Sequence, residues 1–198
     1  MNYNFDYEIY KLSSKFYNDY PHNQYPEILE KPTRRYNCIL VDINTDYFIC
    51  LPFRSDMRHQ NGYSFKKSKR SKHHRSGIDY SKMVIIKDVN YLEKGAVIDT
   101  DEYKEMVLNI NTIVNDSVEY LLKYINHKKG ISVLHEKQYQ RLYGLSSLPY
   151  FDSITIKSDT NHAYKMNDKN DSANINETSP YVLAASAEQK QSTSSKFI

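Results

Sequence analysis

Two apolar runs lying close together constrain the fold of this chain more than any other feature. "YNCILVDI" spans residues 36–43 and "YFICLPF" spans 47–53. Both are rich in β-branched and aromatic residues, and only Asn44, Thr45 and Asp46 separate them. Two such runs joined by a short polar turn specify a β-hairpin. The runs are continuously apolar rather than alternating, so the sheet they belong to is expected to be covered on both faces. A second constraint comes from residues 101–128, where Met106, Val107, Ile110, Ile113, Val114, Val118, Leu121, Leu122 and Ile125 recur at the three-and-four spacing of an amphipathic helix. Asp99 or Thr100 can cap its start and Gly130 its end. An antiparallel hairpin beside a long helix predicts the α+β class.

The remaining elements are read with less signal. Ile9, Leu12 and Phe16 share a helical face, which predicts a helix from Asp6 to Asn18 with Asp6 as its N-cap. Pro21, Pro26 and Pro32 then mark a loop. Residues 54–82 read as a long polar loop, "MVII" (83–86) as a strand, and 91–99 as a turn with a short strand. A second helix is expected near 132–143 with Leu134 and Leu142 inward, and "LSSLPYF" closes the domain near Asp152. Beyond it, "SDTNHAYKMNDKNDSANINETS" holds too little apolar surface to offset the entropy of ordering. Residues 1–152 are therefore expected to form one domain and 153–198 a polar, disordered C-terminal extension, with "YVLAASA" (181–187) as the stretch in it able to dock.

Several function classes are excluded. The chain has no run approaching 18 apolar residues, so no membrane partner is expected. "MNYNFDYEIY" has neither the basic start nor the apolar centre of a signal peptide, which predicts a cytoplasmic protein. The two cysteines, Cys38 and Cys50, make neither a disulfide framework nor a zinc site, and both sit in apolar runs as reduced core residues. There is no H-E-x-x-H, P-loop, G-x-S-x-G or G-x-G-x-x-G motif. No cofactor and no metal are expected, and His73-His74 reads more readily as part of a basic stretch than as a ligand pair.

That stretch is the functional signal. From Arg54 to Arg75 there are eight basic side chains and one acid, Asp56, a net +7 in 22 residues. The whole chain carries +3, so the remainder carries −4. Charge concentrated in this way suits a polyanion. It is interleaved with His59, Tyr63, Phe65, His73 and His74, which can stack on bases, and it lies between two strands of one core. The competing reading is a solvated loop.

Cutting RNA without a metal requires a base for the 2′-hydroxyl proton, cations for the phosphorane and an acid for the leaving 5′-oxygen. "FRSDMRH" offers Arg54, Ser55, Arg58 and His59 at the end of a strand, and "TRRY" offers Arg34 and Arg35 at the start of its partner. In an antiparallel hairpin these two ends are neighbours, so Arg34, Arg54, Ser55 and His59 can converge as a catalytic phosphate site. The plainer alternative is that Ser55 or Asp56 caps a turn and Arg54 pairs with Asp56. "SGIDYSK" (76–82) is either a local turn or the segment whose Asp79 and Lys82 complete the site. The expected RNA-binding residues are Arg35, Arg58, Tyr63, Lys66, Lys67, Lys69, Arg70, Lys72, His73, His74, Arg75, Asp79 and Lys82.

The succession "KPTRRYNCILVDI", "YFICLPFRSDMRH", "SGIDYSKMVIIKD", "EYKEMVLNINTIVNDSVEYLLKYI" and "YGLSSLPYF" resembles the ToxN/AbiQ-like endoribonuclease toxins of type III toxin–antitoxin systems, in particular the TenpN and CptN branches. The resemblance covers about residues 5–152. It implies a compact, strongly twisted antiparallel sheet of the Kid/MazF-like barrel kind with flanking helices. It also implies sequence-specific, metal-independent cleavage of RNA to a 2′,3′-cyclic phosphate and a 5′-hydroxyl, and a role in phage defence by abortive infection. The implied partners are an antitoxin RNA of pseudoknot repeats, which the toxin processes and which inhibits it in a protein–RNA hetero-oligomer, and cellular or phage RNA substrates. In the family a Thr-Ser-x-x-Lys type of motif follows the second strand and a Lys precedes the first. Ser55 matches by identity, Arg54 and Arg34 by position or charge, and the proton acceptor is left open. The alternative to this function is a non-catalytic RNA-binding protein using the basic 54–75 segment.

Overall fold

The two apolar runs form the expected hairpin. Strands β2 (Asn37–Asp42) and β3 (Phe48–Arg54) pair antiparallel, with Cys38 opposite Pro52 and Asp42 opposite Phe48. The computed structural model describes residues 8–30, 36–42, 46–94 and 97–156, and the 153–198 extension lies almost wholly outside them. Around the hairpin the chain adds β1 (Ile9–Leu12), β4 (Gly62–Ser64), β5 (Gly77–Asp79), β6 (Val84–Ile86) and β7 (Leu92–Glu93). The helices are α1 (Ser14–Asp19), α2 (Lys69–His74), α3 (Thr100–Leu108), α4 (Ile110–Lys128), α5 (Glu136–Tyr143) and α6 (Asp152–Thr155). The architecture is α+β, with a seven-stranded antiparallel sheet ordered β4-β5-β3-β2-β1-β7 and β6 paired to β3. Among the described residues no ladder joins β4 to β7, so the sheet is open and does not close into the barrel that the resemblance implies.

Strand β3 is the axis of this sheet. One of its edges meets β2; the other meets β6 at its start, with Cys50 opposite Val84, and β5 at its end, with Phe53 opposite Ile78. Between these two ladders, five residues, 79–83, lie opposite two, Leu51 and Pro52. The excess is taken up by a 3-10 turn at Tyr80–Lys82. The bulge falls opposite Pro52, which has no N–H to give to a ladder. Ile49, Cys50 and Leu51 are fully buried, as continuous apolarity requires.

Three expectations are corrected. The predicted N-terminal helix is instead a strand followed by a one-and-a-half-turn helix. Ser13 ends β1 and caps α1 by accepting from Phe16 N–H, while β1 gains partners in both β2 and β7. Leu12 and Phe16 are buried either way, so their spacing could not separate the two readings. Its proposed cap, Asp6, lies outside the described residues. The predicted helix over 101–128 is broken at Asn109, whose side-chain amide donates to Glu105 O at 2.7 Å, an alternative to continuing the helix. The long polar loop of 54–82 is not a loop. It contains β4, α2 and β5, and depends on Gly62 and Gly77: a Cβ on either would lie 2.3 Å from Ile78 O or 2.1 Å from Tyr63 O. The last described element is α6, where Thr155 is fully buried and bonds to Phe151 O.

The inward face of α4, from Ile113 and Val114 to Leu121 and Tyr124, joins the core beside the sheet. Tyr124 donates to Asp152 Oδ1 at 2.6 Å and Lys128 pairs with Asp152 Oδ2 at 2.9 Å, tying the end of α4 to α6. Ser147 donates to the carbonyls of Met83 and Ser81, so the segment after α5 is laced to the bulge beside β3. No helix among the described residues is long and apolar enough to cross a membrane.

Candidate nucleic-acid interface

Arg54 ends β3 opposite Gly77, and Asp79 follows β5 into the bulge. This places a buried carboxylate under the strand end. Asp79 is 0% exposed and accepts from Ser81 N at 3.0 Å, Ser81 Oγ at 2.7 Å, Arg54 Nη1 at 2.5 Å and His59 Nε2 at 3.3 Å. Burial pushes its pKa up, but the hydrogen bonds from His59, Ser81 and Arg54 outweigh it and hold the group ionised below the usual carboxylate value. Arg54 is therefore paired with Asp79, not with Asp56. Among the described residues nothing pairs with its Nε or Nη2, and its side chain is 30% exposed, so one edge of the guanidinium remains for a phosphate.

His59 is held at both nitrogens. Asn61 N–H donates to Nδ1 at 3.2 Å, which puts the proton of the neutral ring on Nε2, facing Asp79. The ring cannot accept a proton from a substrate without first losing one of these bonds. Asn61 is the hub of this arrangement. Its carbonyl accepts from Tyr80 N–H and its amide donates to Leu142 O at 3.2 Å, so α5 also fixes the His59 turn.

Ser55 lies one residue past Arg54, and its hydroxyl oxygen accepts from Arg70 Nη2. Arg70 in turn pairs at 3.5 Å with Glu102, which is 1% exposed. Glu105, one turn further along α3, accepts from the backbone N–H groups of Lys66 and Lys67 at 2.8 and 2.9 Å. The basic segment is thus strapped to α3 by two buried acids that the sequence reading missed. The signal was present: Glu102 and Glu105 share with Met106 the helical face that is buried.

These acids leave the cations of the segment outward. Ser68 caps α2 by accepting from Ser71 N–H, and Lys69, Lys72, His73, His74 and Arg75 are exposed, as are Arg58, Lys66 and Lys67. Tyr63 is half-buried. Phe65, expected to stack on bases, is buried against Phe53 at a centroid distance of 6.1 Å. Asp79 and Lys82, expected to touch RNA, are buried as well. Lys82 donates to Leu145 O at 2.6 Å and to Glu27, away from the Arg54 cluster. Arg34 and Arg35 lie outside the described residues. No three His, Cys, Asp or Glu side chains among the described residues are grouped to hold a metal ion.

The sequence matches no protein-family model and no curated protein. Its structure is similar to one solved under the description "A processed non-coding RNA regulates a bacterial antiviral system", with 14% identity, a TM-score of 0.46, and coverage of 73% of this chain and 98% of that one.

Proposed function

We propose that this chain is a metal-independent endoribonuclease toxin of the type III toxin–antitoxin kind, which processes a repeated antitoxin RNA and is inhibited by it. The observation that carries the reading is the end of β3, where the partly exposed Arg54 guanidinium is followed one residue on by Ser55, hydrogen-bonded to Arg70, next to a ridge of exposed cations on and around α2. A guanidinium suits the non-bridging oxygens of a phosphate, which Arg grips through paired N–H donors. The ridge can follow the flanking backbone. The order of sequence motifs supports the same reading.

Incubating the purified 198-residue protein with single-stranded RNA in EDTA tests the proposal. Fragments ending in 2′,3′-cyclic phosphate are expected, and Ser55→Ala should reduce them strongly while the protein still melts cooperatively. The second reading, an RNA-binding protein without catalysis, is favoured by the engagement of both His59 nitrogens. Salt-dependent retention of intact RNA would select it.

A further inference from the structure

The residues after Arg54 and those before Gly77 continue side by side beyond the β3–β5 ladder. Asp56 N–H donates to His74 O, and Met57 N–H to Arg75 O at 3.3 Å. At this crossing the backbone is unusual. Asp56 (φ 58°) and Arg75 (φ 45°) are the two non-glycine residues with positive φ among those described. Arg75 is the left-handed C-cap of α2, and Asp is among the residue types that enter this region most readily. At this crossing the Asp56 carboxylate lies beside the His74 ring, Oδ1 3.5 Å from Nδ1, and Asp56 directly follows Ser55 in the chain.

His74 differs from His59 in the property that matters for proton transfer. Its Nδ1 faces a carboxylate, its Nε2 has no partner among the described residues, and its side chain is 60% exposed. A carboxylate on Nδ1 favours the tautomer whose Nε2 lone pair points outward, ready to accept a proton. We infer that His74, oriented by Asp56, is the general base of the phosphodiester site at Ser55. The inference rests on the endoribonuclease reading above. In the step it describes, His74 Nε2 takes the 2′-hydroxyl proton, the 2′-oxygen bonds to phosphorus and the bond from phosphorus to the 5′-oxygen breaks. The leaving oxygen takes a proton from water and the imidazolium returns one, so no net proton is consumed. Arg70, one turn back on α2 and hydrogen-bonded to Ser55, supplies positive charge to the phosphorane. Among the described residues, Asp56 faces His74 across the crossing, and His73 and Arg75 flank it in the chain.

The test compares the wild type, His74→Gln, His59→Gln and Asp56→Asn, all full-length, on a 5′-labelled mixed-sequence single-stranded RNA in EDTA. Melting curves check folding and filter retention checks RNA binding. His74→Gln should lower the cleavage rate about 100-fold or more while lowering RNA retention far less, and remove the rising limb of the pH–rate profile. Asp56→Asn should lower the rate less and displace that limb, as expected of a positioning residue. His59→Gln should keep the limb. A wild type that cuts RNA beside an equally active His74→Gln would overturn this inference alone, as would loss of the limb in His59→Gln but not in His74→Gln. A wild type that retains RNA and cuts none overturns the endoribonuclease reading, and this inference with it.

Discussion

The Arg54–Asp79 cluster and the Lys66–Arg75 ridge use the same kinds of side chain under opposite solvent conditions. In the cluster a fully buried carboxylate gathers four donors from two neighbouring segments, and the guanidinium above it is only partly exposed. In the ridge the backbone is held by one buried acid of α3, Glu105, while the ammonium groups stand in water. Charge in the cluster is bound up in holding the strand end. Charge on the ridge costs little to keep free and is available to a polyanion. A basic run in the sequence therefore divides into paired charge and solvent-facing charge, which only the tertiary structure separates.

The sharpest way to break this comparison is at Asp79. Asp79→Ala should destabilise the fold by about 3–5 kcal/mol, because it strands Arg54 and His59 beside an empty site. Denaturant unfolding measures it, and an unchanged midpoint would put the cluster on a par with the ridge. The pH dependence has a definite sign. The folded pKa of Asp79 lies below its unfolded value of about 3.9. Its contribution is present above that value and is lost as pH falls through the folded pKa. The gap between wild type and Asp79→Asn should thus narrow in strong acid.

Next in size is Lys82, buried and bonded to Glu27 and Leu145 O. Lys82→Ala should cost about 3 kcal/mol, whereas Lys82→Met combined with Glu27→Gln, which fills the same space and strands no charge, should recover much of it. Equal losses in the two variants would mean that the ion pair itself, rather than the volume, is what this site needs.

Glu105 tests the boundary between the regions. Glu105→Gln should destabilise by about 1.5–3 kcal/mol, and hydrogen exchange should quicken first at the amides of Lys66 and Lys67. The smallest effect on stability belongs to the ridge. Lys69→Ala with Lys72→Ala should change unfolding by no more than about 0.5 kcal/mol. The same pair should flatten the salt dependence of RNA retention, each lost contact to a single strand reducing the slope by about 0.7. An unaltered slope would leave the ridge as solvated surface.

The parts of the fold legible in the sequence were those with long, local patterns. The β2–β3 hairpin follows from two runs of seven or eight residues, and the inward face of α4 follows from its spacing. The strands that build the site were not legible. β4 and β5 are three residues each, too short to show a period, and they are marked only by Gly62 and Gly77. Ser13 and Asn109 redirected the chain through single hydrogen-bonding side chains, against an apolar spacing that suited a continuous helix.

The site divides in the same way. The sequence alone determined that cations collect between residues 54 and 75 and that Arg54 and Ser55 stand at a strand end, because charge and strand period are properties of neighbours in the chain. Only the tertiary structure decided that Asp79 is buried beneath Arg54, that Glu102 holds Arg70 at Ser55, and that His59 is tied at both nitrogens while His74 is not. Those outcomes depend on which groups share a solvent-free space, and their partners lie up to tens of residues away, beyond the reach of any local pattern.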